Sequence, residues 1–380
     1  MKEIREQTER EFIKTQNGMK IETITLLGKN QNNNQGEKHL IYFIGGNRAL
    51  SPGKDYSQNW NWATEQGITV HLFNYPGLGL SKNNSLIRSN RVKSGVAVVT
   101  NLLEKGIKPD DIILFGDCLG GHVAAEVHKN FKGKDIHLRC IVSNAASSLK
   151  QASLYYFGFM AKLKIFLAPI IRLVLKIFGC HWKTYKIVNS ITPYTMYFNR
   201  EGDKTIKQPA QLATEIEKID QSGRRKDYQK KEVFEGFEEY EEFFKQHIIL
   251  RKNDECIDSK KADKDIHKLP ITCLKSSNKT DYTFPELISL YIYITDEYFS
   301  KYGSLNNEEK IKAFKESKFY KDFSSCKNSK DFLHNYMKKQ ERPSMSFQHV
   351  IIESGEKRPF LTSQRRLVAL NLTRMLSSIF

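Results

Sequence analysis

Gly116-Asp117-Cys118-Leu119-Gly120 sets one thiol between two glycines. The apolar run 112–115 precedes it and a helix-forming stretch, 121–131, follows. This is the layout of a nucleophile elbow, with cysteine where serine usually stands. The chemistry explains the glycines: a nucleophile on a tight strand-to-helix turn holds strained backbone angles, and a side chain at Gly116 or Gly120 would collide with neighbouring backbone. The helix start also aims N–H groups, that of Leu119 first, at the atom Cys118 attacks, which suits a developing oxyanion. Glycine-rich turns of this kind also cradle phosphate, and most buried cysteines are inert. The surrounding elements must therefore decide.

Those elements alternate. Strand patterns occur at 21–27, 39–46, 68–74, 112–115 and 138–143, and helical patterns at 60–66, 89–105 and 121–131. Residues 1–20 read as a polar helix or arm, and 28–38 as a polar loop. Strands alternating with helices imply βαβ units and a mainly parallel sheet. Such sheets bind ligands beyond the carboxyl ends of their strands. Gly45-Gly46-Asn47, the stretch 75–81, Cys118 and Ser147 all follow strand ends.

The chain has 380 residues, enough for one large domain or two ordinary ones. Its formal net charge of +17 favours anionic partners. No zinc-finger or RRM signature is present, so an anionic membrane surface fits better than nucleic acid, with plain solubility as the alternative source of the charge. Six cysteines are scattered with no CxxC pair, which indicates neither a zinc site nor a disulfide framework and fits a reducing compartment. No cofactor or metal is expected. The charged start Met1-Lys2-Glu3-Ile4-Arg5-Glu6 lacks an apolar signal core, so cytoplasmic residence without a signal peptide is expected.

On these motifs the chain resembles the α/β-hydrolases over roughly residues 20–275. Ile41-Tyr42-Phe43-Ile44-Gly45-Gly46-Asn47 resembles the family's oxyanion strand, with Ile44 in place of the usual histidine. Asn74-Tyr75-Pro76-Gly77-Leu78-Gly79-Leu80-Ser81 resembles its Tyr-Arg-Gly-x-Gly-x-Ser turn. Within the family the likeness is to lipase-like effectors of intracellular bacteria, the SidB-like proteins and the related chlamydial 43-kDa proteins. The resemblance implies an α/β-hydrolase fold: a mainly parallel central sheet with helices on both faces, an apolar helical cap and a C-terminal extension. The expected organisation is an N-terminal arm and first strand at 1–36 and a core at 37–275. The core carries the cap at 149–190 and a charged helical insert at 214–246, and a mostly helical extension occupies 276–380. The effector likeness also implies delivery into a host cell and peripheral membrane association.

The resemblance implies the chain order nucleophile, acid, histidine. After the strand near 193–198, Gly202-Asp203-Lys204-Thr205-Ile206 resembles the family's acid turn, although Gly202 directly precedes the aspartate and Lys207 takes the usual proline position. His267, in Asp265-Ile266-His267-Lys268-Leu269-Pro270, follows the strand pattern 247–251 and resembles the effectors' His-Asn-x-Pro ending. Cys118, Asp203 and His267 thus form the expected triad, with Gly46 or Asn47 and Leu119 donating to the oxyanion. An alternative takes 270–274 as the strand before the acid, with Asp281 as acid and His349 as base, although His349 lies inside its strand pattern 347–353. His122 reads as a helix-face residue near the site.

Residues 157–179 are the most apolar stretch, but four cations and Pro169 interrupt it. It reads as two amphipathic pieces rather than a membrane span, with Arg172 and Lys176 on one helical face. One reading is an apolar cap packed on the site. The other is a lid that also contacts membrane through Phe166, Arg172 and Lys176 and admits an acyl chain. Both favour a lipid-like or acylated substrate. The expected activity is ester or thioester hydrolysis, as in a lipase, esterase or thioesterase. The alternative is a weak or inactive hydrolase-fold effector that binds membrane or a protein partner.

Overall fold

The computed structural model describes residues 8–29, 37–46, 49–50, 60–81, 88–134, 136, 138–156, 169, 184, 195–212, 214–215, 248–252, 274–276, 283–285, 287–288 and 291–292. The chain divides into two compact units, Met1–Phe314 and Lys315–Phe380, and every described residue lies in the first.

The described strands are β1 (Thr8–Lys14), β2 (Lys20–Leu26), β3 (Lys38–Phe43), β4 (Ile68–Phe73), β5 (Ile112–Asp117), β6 (Arg139–Ser143), β7 (Thr195–Arg200), β8 (Ile248–Lys252) and β9 (Leu274–Ser276). They form one sheet in the order β1-β2-β4-β3-β5-β6-β7-β8-β9. From β4 through β8 all neighbours run parallel. β1, β2 and β9 join antiparallel. The central strands are buried on both faces, so β4 and β7 are buried at every position. Strands of that kind favour apolar, β-branched side chains, which is why 68–73 and 112–115 read so clearly as strands, although β7 also buries Thr195, Asn199 and Arg200.

Helices cover both faces. On one lie α2 (Arg88–Glu104) and α3 (Leu119–Lys132), which pack on each other, with α3 also against β3, β5 and β6. The other carries α1 (Asn61–Glu65) and the helical residues around 284–292. Phe284, fully buried, meets the rings of Trp62, Phe115 and Phe198 at centroid distances of 5.8, 5.6 and 4.9 Å. The expected boundary after residue 275 therefore precedes a segment that fills the same core. After β6 comes α4 (Leu149–Tyr156), where the Ser148 hydroxyl accepts from Gln151 N–H at 3.2 Å.

β1 departs from the expected polar helix or arm. It pairs along its whole length with β2 across a turn at Gly18, whose φ of 79° favours glycine. As an edge strand it buries only Ile13, so no apolar alternation marks it in the sequence. β3 stops at Phe43, and Ile44-Gly45-Gly46 leave the sheet toward the elbow. The central parallel run, the antiparallel β2 beside β4 and helices on both faces together make this an α/β-hydrolase fold. Among the described residues no helix is long and apolar enough to cross a membrane.

Candidate active site

Cys118 sits between β5 and α3 with φ 54° and ψ −115°, a conformation costly for any residue with a Cβ. The surrounding packing leaves the turn no other path. A Cβ on Gly116 would lie 2.5 Å from Gly121 Cα, and one on Gly120 would lie 2.5 Å from the Phe43 carbonyl carbon. Gly121 is less crowded, its Cβ falling 2.9 Å from Val142 Cγ1. The turn is anchored by Cys118 N–H donating to Ser143 C=O at 2.8 Å, which fixes the elbow to β6. Leu119 opens α3, so its N–H has no acceptor within the helix and is available to a ligand.

The other side of the expected oxyanion hole lies against this turn. A Cβ on Gly45 would fall 2.8 Å from Asp117 O and 2.9 Å from Cys118 Cβ. The backbone leaving β3 therefore passes directly beside the thiol. Gly46 follows with φ 77°. Asn47 lies outside the described residues.

Asp203 stands three residues beyond the end of β7, at the same sheet edge as Cys118, and is 6 % exposed. Its Oδ1 accepts from the N–H groups of Thr205 at 2.7 Å and Ile206 at 2.8 Å. Gln211 Nε2 staples this turn, donating to Ile206 O at 3.0 Å and Arg200 O at 3.4 Å. Leu212 N–H bonds Ala145 O and Ser147 N–H bonds Ala210 O, so the acid turn is tied to the loop after β6. The buried Ser147 belongs to that junction.

His267, Asp281, His349, Phe166, Arg172 and Lys176 lie outside the described residues. The topology around them is informative. Lys252, ending β8, pairs with Leu274, opening β9. The connection 253–273 therefore starts and ends at the edge that carries Cys118 and Asp203. β9, antiparallel to β8, directs its own carboxyl end to the opposite edge.

Asp117, next to the thiol, has Arg200 Nη2 3.5 Å from its Oδ1, with side chains 23 % and 3 % exposed respectively. His122 is buried, with Nδ1 2.7 Å from Thr184 Oγ1 and Nε2 3.8 Å from Glu126 Oε1. It lies on the α3 face beside the elbow, as expected. Cys140 is fully buried in β6, and burial pushes its thiol pKa up, whereas Cys118 is partly exposed.

Glu22 escaped the motif reading. It is 2 % exposed, and its Oε2 accepts from Asn74 Nδ2 at 2.7 Å and Leu80 N–H at 2.8 Å. Ser81 Oγ accepts from Glu22 N–H at 2.9 Å and donates to Asn74 O at 2.7 Å. These bonds hold the 74–81 turn at the sheet edge. The available signal was a lone glutamate inside a strand pattern, since a buried carboxylate needs partners.

No family model matches the chain, and no curated protein matches it in sequence. Several solved structures share similarity with it. An esterase of Pyrococcus furiosus is 16 % identical over 59 % of this chain and 78 % of its own, with a TM-score of 0.41. A puromycin-hydrolysing peptidase of Mycobacterium tuberculosis is 14 % identical over 64 % and 35 %, with a TM-score of 0.43. An α/β-hydrolase from a Penicillium species is 16 % identical over 52 % and 82 %, with a TM-score of 0.38.

Proposed function

We propose that this protein hydrolyses an acyl ester or thioester through Cys118, His267 and Asp203. The observation that carries the reading is Cys118 at φ 54° on a glycine-walled strand-to-helix turn, with the Gly45 backbone beside it. A strained nucleophile position next to helix N–H groups is costly to maintain and suits attack on a carbonyl. The anchoring of 253–273 at the same edge supports His267 as base in preference to His349, and the held carboxylate of Asp203 supports it as acid in preference to Asp281.

The imidazole takes the Cys118 proton as Sγ attacks the carbonyl carbon. N–H groups of Leu119 and of Gly46 or Asn47 hold the oxyanion. Collapse expels the alcohol or thiol, which leaves with the proton from the imidazolium that Asp203 stabilises. A thioester acyl-enzyme remains. Water, deprotonated by His267, then releases the acid and restores the thiol. The apolar cap sequence and the net charge of +17 support a lipid-like or acylated substrate presented at an anionic membrane surface, with Phe166, Arg172 and Lys176 in contact with it. The effector likeness adds a host-cell setting for that substrate.

The test is hydrolysis of acyl thioesters and esters by wild type, Cys118→Ala, His267→Ala and His349→Ala, alongside labelling by a thiol-directed acyl probe. Cys118→Ala and His267→Ala lose turnover by about a thousandfold or more, and His349→Ala retains it. Undiminished turnover in Cys118→Ala refutes the reading. Labelling without turnover in wild type instead identifies a binding module with an occupied nucleophile seat.

A further inference from the structure

We infer that Arg200 is a positioning residue for the nucleophile, holding the Asp117 carboxylate so that negative charge can develop on Cys118 Sγ. This rests on the reading of Cys118 as nucleophile. Asp117 directly precedes the thiol, and an unbalanced carboxylate there opposes the thiolate by like-charge repulsion. Asp117 pairs with Ser143, and Ser143 with Phe198, so Arg200, two residues further along β7, emerges on the same face. β5 and β7 are about 10 Å apart across β6, a gap that an arginine stem crosses. The guanidinium, almost fully buried, ends 3.5 Å from Asp117 Oδ1. Burial of the guanidinium limits solvent screening at its end of the pair, while the Asp117 side chain is 23 % exposed.

The other end of Arg200 is fixed as well. Its carbonyl accepts from Gln211 Nε2, the same amide that holds the Asp203 turn through Ile206 O. One residue thus joins the nucleophile elbow through its side chain to the acid turn through its backbone. A change of side chain at 200 alters the electrostatics at Cys118 while leaving those backbone bonds in place.

The measurement is the rate of Cys118 alkylation by iodoacetamide at neutral pH, located by peptide mass spectrometry. Arg200→Met slows it at least roughly tenfold, as expected for an unbalanced like charge on the adjoining residue at an effective dielectric near 20. Arg200→Lys stays near wild type. Asp117→Asn speeds alkylation several-fold, and the Asp117→Asn/Arg200→Met double variant returns to the wild-type rate or above. A merely structural role for Arg200 would not be rescued by removing a charge at 117. A folded Arg200→Met with the wild-type rate overturns the inference. Should Arg200→Met not fold, Asp117→Asn decides alone, and an unchanged rate overturns it. Alkylation needs no turnover, so failure of the hydrolysis reading (turnover kept in Cys118→Ala) is distinct from failure of this coupling (flat alkylation rates with Cys118→Ala inactive).

Discussion

The two described cysteines illustrate how differently one fold can house the same residue type. Cys140 in β6 is fully buried with its thiol pKa pushed up, and behaves as a small core hydrophobe. Cys118 is partly exposed on a strained turn. The same dependence on environment governs the buried histidines. His71 Nε2 lies 3.1 Å from His39 Nδ1, and His71 Nδ1 lies 3.1 Å from Thr25 Oγ1. Burial, then the charges of His39 and Lys105, pushes the His71 pKa down to about 3, and burial lowers that of His39 against the pull of Glu37 and Asp111. The folded protein thus keeps the His71 ring neutral where the unfolded chain takes up a proton below about pH 6.5, and the lowered His39 acts in the same direction. Unfolding then binds protons, so stability is full above that pH and falls as pH drops toward 3. Urea denaturation should show a shallow pH dependence near pH 7 that steepens to about 1.4 kcal/mol per pH unit from His71 alone between about pH 5.5 and 4, and His71→Gln should flatten it.

At the level of elements, the elbow works because three segments converge on one turn. β5 ends in Gly116-Asp117, α3 begins with Leu119-Gly120-Gly121, and the exit from β3 passes at Gly45. Gly120 is the tightest of these, against the Phe43 and Ile44 backbone oxygens. Backbone cannot yield as a flexible side chain can. Gly120→Ala should therefore cost about 3 kcal/mol or more in urea unfolding and move Cys118 relative to the Gly45 backbone. A folded variant with wild-type stability and turnover would contradict this account of the turn. The neighbouring 74–81 turn depends instead on polar contacts, with Glu22 supplying acceptors that Asn74 and Leu80 would otherwise lack.

Across the molecule, the hydrolase-fold core extends past the sheet. Phe284 is separated by seven residues from the end of β9 at Ser276, yet it is the ring on which Trp62, Phe115 and Phe198 meet. Truncating it leaves a large void between α1 and two central strands. Phe284→Ala should destabilise the protein by about 3–5 kcal/mol, read as a lowered urea midpoint. A change under about 1 kcal/mol would show that this segment is not an integral layer of the core.

Much of this was legible in the residues themselves. The parallel strands announced themselves because burial on both faces demands continuous apolar side chains, and the elbow because only glycine tolerates backbone at contact distance. Local chemistry of that kind is written at single positions, although the reading of Gly116, Cys118 and Gly120 also needed the strand and helix patterns on either side. β1 was not legible, because an edge strand takes its stability from backbone pairing and buries one side chain. Neither were the Glu22 latch, the Phe284 plug or the reach of Arg200 to Asp117. Each joins residues that are far apart in sequence and of unremarkable type, so their partners exist only once the sheet has set β2 beside β4 and β7 two strands from β5.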